Sequence, residues 1–92
     1  MKNEIKPEVG MRVRDISGRV GVITEIRDDG FFARPADTPY VAEHDIPGIG
    51  KQKLIMATYW NYKGNGVYHG IWADAPLNAW TTVQIDEAAS NA

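Results

Sequence analysis

Residues 9–26 read VGMRVRDISGRVGVITEI, and this stretch decides the fold class. Two short runs of alternating apolar and polar residues lie on either side of Ser17 and Gly18, and Gly21 lies inside the second run. Alternation with a period of two predicts half-buried β-strands, and a serine–glycine pair between them predicts a tight turn. The stretch therefore predicts a β-hairpin in which Gly21 lets the second strand bend, as a small barrel requires.

Turn residues also separate short apolar runs in the rest of the chain. Turn signals follow at DDG, PADTP, PGIG, KGNG and ADAP, and helical spacing is poor throughout. These signals predict strands over residues 11–16, 20–27, 31–34, 40–43, 53–62, 67–73 and 81–85. Several short strands at this spacing predict an all-β fold. We expect the 92 residues to form a single domain, with one half at residues 8–47 and an aromatic hairpin and closing strand at 51–86.

The register of the first three strands predicts two faces of different chemistry. A two-residue turn at Ser17 and Gly18 would place Val13 opposite Val22, and a turn at Asp29 and Gly30 would follow. One face would then be apolar: Met11, Val13, Val20, Val22, Ile26, Phe31 and Ala33. The other face would carry Phe32, Ile23, Glu25 and all five arginines of the chain, namely Arg12, Arg14, Arg19, Arg27 and Arg34. A three-residue first loop would reverse the faces of the first strand.

A second hairpin is predicted around KLIMATYWNYKGNGVYHGIW, residues 53–72. Asn65 and Gly66 form a strong type I′ turn signal. A two-residue turn at this point would place Trp60 and Tyr62 on one face, and would place Tyr59 with Tyr68 and Trp72 on the other. Both faces would be aromatic, so we expect the barrel to cover one of them and a partner chain the other. The candidate partner-binding residues of this hairpin are Tyr59, Trp60, Tyr62 and Trp72.

The opening stretch resembles a KOW-type motif, and more broadly the start of small SH3-like barrels. The matching residues are Gly10, Arg12-Val13-Arg14, Ser17-Gly18, Gly21, Val22-Ile23 and Ile26, and the likeness continues through DDGFFARP and VAEHDI to about residue 47. The resemblance implies a small SH3-like barrel, here with an added C-terminal β-hairpin. KOW-type domains often contact RNA or proteins of transcription and translation, partly through a basic loop that is reduced to SGR in this chain.

Composition excludes several kinds of site. The chain has no cysteine, which excludes disulfides, zinc–thiolate sites and a cysteine nucleophile. The only histidines are His44 and His69, and strand alternation points Glu43 and Asp45 away from His44. We therefore expect no catalytic residues, no metal site, no cofactor and no enzymatic activity. No apolar stretch reaches the length of a membrane span, so we expect a cytoplasmic protein with no membrane partner.

These observations favour a non-enzymatic binding module, with a protein as partner and a second copy of the chain as one form that the partner could take. Arginine, tyrosine and tryptophan are the residues that most often dominate protein interfaces. The alternative is a nucleic-acid-binding domain in which the arginine face contacts phosphates. Either Phe32 or the pair Tyr62 and Trp60 would then stack on bases. A formal net charge of -2 argues mildly against that alternative.

Overall fold

Eight β-strands make up the fold in the computed structural model, which describes residues 5–38 and 41–86. The strands are β1 (Arg12–Asp15), β2 (Val20–Arg27), β3 (Gly30–Pro35), β4 (Val41–Ile46), β5 (Gly50–Ile55), β6 (Thr58–Gly64), β7 (Val67–Gly70) and β8 (Thr81–Ile85). No helix that is long and apolar enough to cross a membrane occurs in the part of the chain described. The predicted strand at 53–62 is two strands, because β5 and β6 belong to different sheets. Residue 40, where the predicted fourth strand begins, lies outside the described residues.

Six strands close into an antiparallel barrel in the order β1-β2-β3-β6-β7-β8, and β8 pairs with β1 to complete the ring. The predicted all-β small barrel is confirmed. Strands from both halves of the chain form the ring, because β6 takes its place beside β3. Its interior is filled by eight buried residues, which are Val13, Ile23, Phe31, Ala33, Trp60, Tyr68, Trp72 and Val83.

The first turn differs from the prediction, and the difference moves the core face of β2. Arg12 pairs with Val22 and Val13 pairs with Gly21, and the Asp15 amide donates to the Arg19 carbonyl at 2.9 Å, so the turn consists of the three residues 16–18. Consequently Gly21 and Ile23 face the interior, and the predicted core positions Val20 and Val22 were wrong. The ring of Trp72 packs directly on Gly21, where an added Cβ would lie 2.6 Å from ring carbons. Gly21 therefore makes room for an indole rather than only allowing a bend.

The second turn also differs from the prediction by one residue. Arg27 pairs with Gly30, so the turn consists of Asp28 and Asp29, and Gly30 is the first residue of β3. A β-bulge between Ile23 and Glu25 then places Glu25, rather than Thr24, opposite Phe32 on the outer face. Such a bulge inserts one residue and changes which side chains share a face beyond it.

The type I′ turn at Asn65 and Gly66 is confirmed by its backbone, with φ values of 57° and 76°. The predicted faces of the hairpin were nevertheless wrong, because the register shifts between Tyr62 and Gly64 and leaves Lys63 as an extra residue. Tyr62 pairs with Tyr68 as a result. Trp60 and Tyr62 of β6 therefore lie on the same side of the sheet as Tyr68, which faces the interior, and Tyr59 faces outward.

Replacing Asn65 with alanine should lower the free energy of unfolding by about 1 kcal/mol, because alanine tolerates a φ of 57° less well than asparagine. Urea denaturation followed by far-UV circular dichroism measures the difference. Replacing the neighbouring exposed Lys63 with alanine is the control and should cost less. An Asn65→Ala protein as stable as the parent would contradict the assignment of this turn.

The two remaining strands, β4 and β5, form a separate hairpin, here called the arm. Residues 41–46 pair with residues 50–55 in an unbroken antiparallel ladder, and no barrel strand joins it. Pro47 and Gly48 form the tip, where the Ile49 amide donates to the Ile46 carbonyl at 3.0 Å and Gly48 has a φ of 84°. The described molecule measures 53 × 25 × 25 Å, which is long for a 92-residue domain and consistent with a projecting hairpin.

Candidate partner-binding surface

Four of the five arginines point to the outer face of the barrel. Arg12, Val22 and Arg34 form one row across β1, β2 and β3, and Arg14 and Arg27 lie on the same side of the sheet. The prediction that all five share this face was wrong for Arg19. With a three-residue first loop, Arg19 follows the parity of Gly21 and lies over the end of the barrel interior.

Several of the outer arginines already have acceptors within the chain. Arg14 forms an ion pair with Asp86 at 2.6 Å, and Arg27 forms one with Glu25. Arg34 donates to the carbonyl of Pro35 at 3.2 Å. Much of the positive charge predicted for this face is therefore balanced locally, although exposed pairs of this kind add little stability.

Arg19 belongs to a polar cluster that closes one end of the barrel. Its guanidinium stacks over Trp72 at 5.1 Å and donates two hydrogen bonds of 2.8 Å to Asp74. The hydrogen bond to Asp74 raises the pKa of Arg19 above its usual value, and the same bond lowers the pKa of Asp74. A second carboxylate, Asp37, lies 3.3 Å away. Arg19 is therefore occupied inside its own chain.

Asp15 belongs to the same polar cluster and accepts hydrogen bonds from Trp72 and from the first turn. One carboxylate oxygen accepts the indole N–H of Trp72 at 2.8 Å. The other accepts hydrogen bonds from the Ser17 amide and hydroxyl and from the Arg19 amide. Burial raises the pKa of Asp15, but these hydrogen bonds together outweigh burial and hold the pKa below its usual value. Asp15 thus fixes both the first loop and Trp72.

Three predicted partner-binding residues of the second hairpin lie in or against the core. Trp60 and Trp72 are 0% and 4% exposed and meet edge to face at 4.9 Å. Tyr62 is half-buried and packs on Tyr68 with ring centroids 5.0 Å apart. Trp60 lies opposite the buried Phe31 of β3, and the extra residue Lys63 places Tyr68 of β7 on the same side of the sheet. Trp60 and Trp72 therefore build the core and leave almost no surface for a partner, whereas Tyr62 packs against the core and stays partly exposed.

The outer face brings two of the predicted residues together with two that sequence reasoning missed. Phe32 and Tyr59 are cross-strand neighbours with ring centroids 5.3 Å apart. His69 lies diagonally across from Tyr59, and its ring stacks on Trp80 at 5.4 Å with an interplanar angle of 16°. Trp80 is 58% exposed. We call these four residues the aromatic surface.

One end of the aromatic surface is held by polar contacts. The Tyr59 hydroxyl donates to the Asp29 carboxylate, and this hydrogen bond raises the pKa of Tyr59. The Asn61 side chain donates to the Asp29 carbonyl at 3.0 Å. The Arg27 guanidinium lies 5.3 Å from the centre of the Phe32 ring. The rings therefore sit in fixed positions beside a cation, an arrangement suited to stacking rather than to acid–base chemistry.

The two histidines, which are the remaining candidates for catalysis or metal binding, lie in different parts of the fold. His44 lies exposed on β4, while His69 is committed to the stack with Trp80. Residues 5–38 and 41–86 contain no group of three histidine, aspartate or glutamate side chains that could hold a metal ion.

Comparison with known proteins does not identify a family for this chain. No protein-family model matches the chain, and no similar chain is found among curated proteins or solved structures.

Proposed function

We propose that this protein is a non-enzymatic binding module that recognises a protein partner through the aromatic surface. The observation that carries the proposal is the exposed stack of His69 and Trp80 beside the Phe32–Tyr59 pair. Large aromatic side chains left on the outside of a barrel forgo burial in its core, and tryptophan, tyrosine and arginine dominate the binding energy of protein interfaces. The resemblance of residues 8–47 to KOW-type domains supports a binding role of the same kind.

The partner-binding residues that follow from this proposal are Phe32, Tyr59, His69 and Trp80, with Arg27 at one edge. Arg27 can serve a partner carboxylate because its guanidinium already lies over the Phe32 ring and its ion pair with Glu25 is exposed. Trp80 would supply the largest contact, since more than half of its surface is accessible in the free chain.

Replacing Trp80 with alanine should weaken partner binding at least about tenfold, because truncating an interface hot spot commonly costs more than 1 kcal/mol. The measurement is affinity capture from the native host with tagged protein, followed by titration of the captured partner. Leu77→Ala is the matched control, since Leu77 is 90% exposed in the same loop and lies outside the aromatic surface. Equal capture by the Trp80 and Leu77 variants would contradict the proposal.

Trp80 also offers a direct optical measurement. Trp60 and Trp72 are buried, so iodide should quench chiefly the fluorescence of Trp80. Bound partner should protect that fluorescence from quenching. Sedimentation at several concentrations identifies the case in which the partner is a second copy of the chain.

Nucleic acid is the second candidate, and the specific observation in its favour is the row of Arg12 and Arg34 across the outer face, which Phe32 shares two residues before Arg34 on β3. Arginines beside an exposed ring can hold phosphates while a base stacks. The ion pairs of Arg14 and Arg27 favour a protein instead. A nucleic-acid ligand would show binding to a single-stranded oligonucleotide that falls steeply with salt and is lost in the Arg12→Ala/Arg34→Ala variant.

A further inference from the structure

The arm exposes a strand edge that the barrel does not use. The β4–β5 sheet has two strands, so each strand carries main-chain N–H and C=O groups along an edge with no ladder partner in the described residues. Residues 51–55 of β5 are all exposed, and Leu54 and Ile55 keep 44% and 58% of their surface accessible. A hairpin of two strands is marginally stable alone, and a third strand stabilises it.

Within the arm, one strand carries the negative charges and the other carries the positive charges. In the ladder, Glu43 lies opposite Lys53 and Asp45 lies opposite Lys51, so all four charges share one face. The acids belong to β4 and the lysines to β5. The other face carries no acid or lysine; on β5 it presents Gln52 and Leu54. The β5 edge therefore offers lysines on one face and neutral or apolar side chains on the other.

This pattern disfavours pairing between two copies of the same strand. When two copies of β5 pair antiparallel with their lysine faces on the same side, the registers with the largest overlap place one lysine directly opposite another. Two copies of β4 that pair with their acidic faces on the same side would likewise place acid opposite acid. Like charges directly opposite in a sheet are destabilising, and edge lysines are a common protection against such pairing.

We propose that the β5 edge of the arm binds an extended segment of another protein in which acidic and apolar residues alternate. The segment would add a third antiparallel strand, with its acids beside Lys51 and Lys53 and its apolar side chains beside Leu54 on the opposite face. Main-chain hydrogen bonds give such strand addition its affinity, and the alternating side chains give it specificity. This site is separate from the aromatic surface, so either proposal can fail without the other.

The probes are three short blocked peptides. The first alternates glutamate and valine, the second alternates lysine and valine, and the third has the first composition with a central proline that cannot donate to the ladder. We expect the acidic peptide to bind, to slow amide exchange in residues 50–55, and to bind more weakly as salt rises. The basic peptide and the proline peptide should bind at least about tenfold more weakly.

The decisive variant is K51E/K53E, which should lose at least about tenfold in affinity for the acidic peptide and gain affinity for the basic one. The matched control is K6E/K63E, which makes the same change in net charge at exposed lysines outside the arm. Equal affinities for the acidic and basic peptides would overturn the proposal, as would equal losses in the two double variants. Concentration-dependent self-association that K51E/K53E abolishes would also overturn it, because the occupant would then be a second copy.

Discussion

Replacing Gly30 with alanine is expected to destabilise the barrel by about 3 kcal/mol, a large part of the stability of a small domain. A Cβ at Gly30 would overlap the backbone carbonyl oxygen of Trp60 on the neighbouring strand and would lie 2.9 Å from the Tyr59 hydroxyl oxygen. A carbonyl in a strand cannot rotate away as a side chain can. The contact between β3 and β6, which joins the two halves of the barrel, would have to open.

Urea denaturation of Gly30→Ala measures this loss, and Gly18→Ala is the matched control. Gly18 has a φ of 94° but no atom within 4 Å of an added Cβ, so alanine there meets only backbone strain of about 1–2 kcal/mol. A crystal structure or amide exchange would place the Gly30 defect at the β3–β6 contact. If Gly30→Ala costs no more than Gly18→Ala, close strand approach is not the reason for this glycine.

The fold class could be predicted from the sequence because it depends on features that a register error leaves intact. Alternation along β2 and β8, and the turn signal at Asn65 and Gly66, identify strands and a hairpin whichever face points inward. The bounds of both strands were predicted correctly. The arm was harder, because its β5 and the barrel strand β6 follow each other almost without interruption, and the apolar residues between them gave no signal for a boundary.

The faces could not be predicted, because each depends on a single inserted residue. Because the first turn has three residues instead of two, Val13 lies opposite Gly21 and not opposite Val22. Because Lys63 is an extra residue in β6, Trp60 shares a side of the sheet with Tyr68 and not with His69. A shift of one residue moves every following side chain to the other side of a strand. Neither insertion has a distinctive residue type, so local propensity gives no warning of it.

The sequence predicted only residues of the candidate surface that lie on strands. Phe32, Tyr59 and Arg27 were identified because they lie on predicted strands, and they do lie together. Trp80 lies in the loop before β8, and its stack on His69 depends on how that loop folds back over β7. The one available signal was that three tryptophans are more than so small a core would need.

Replacing Asp15 with asparagine is expected to lower the free energy of unfolding at neutral pH by about 2 kcal/mol, because hydrogen bonds to a charged acceptor contribute more than neutral ones. Asparagine keeps the size but has one accepting oxygen. It can serve the Trp72 indole or the amides of Ser17 and Arg19, but not both. Trp72 should then move relative to the Arg19 guanidinium, which a change in near-UV circular dichroism would report.

The pH dependence gives a second, independent signature of the same carboxylate. The folded pKa of Asp15 lies below its ordinary value of 3.8. A group with a lowered folded pKa contributes its stability at pH values above the unfolded pKa, and loses it as the pH falls through the folded one. The stability advantage of the parent protein over Asp15→Asn should therefore be full at pH 7 and shrink below about pH 4.

Urea denaturation at pH 7, 5, 4 and 3 tests this expectation, with Asp45→Asn on the arm as the control for removing one carboxylate. The control should change the free energy of unfolding by less than about 0.5 kcal/mol at each pH, because Asp45 is exposed on a hairpin outside the barrel. A difference between the parent and Asp15→Asn that stays constant down to pH 3 would contradict an ionised Asp15 as the acceptor. In that case the asparagine would be acting only through side-chain fit at the end of the barrel.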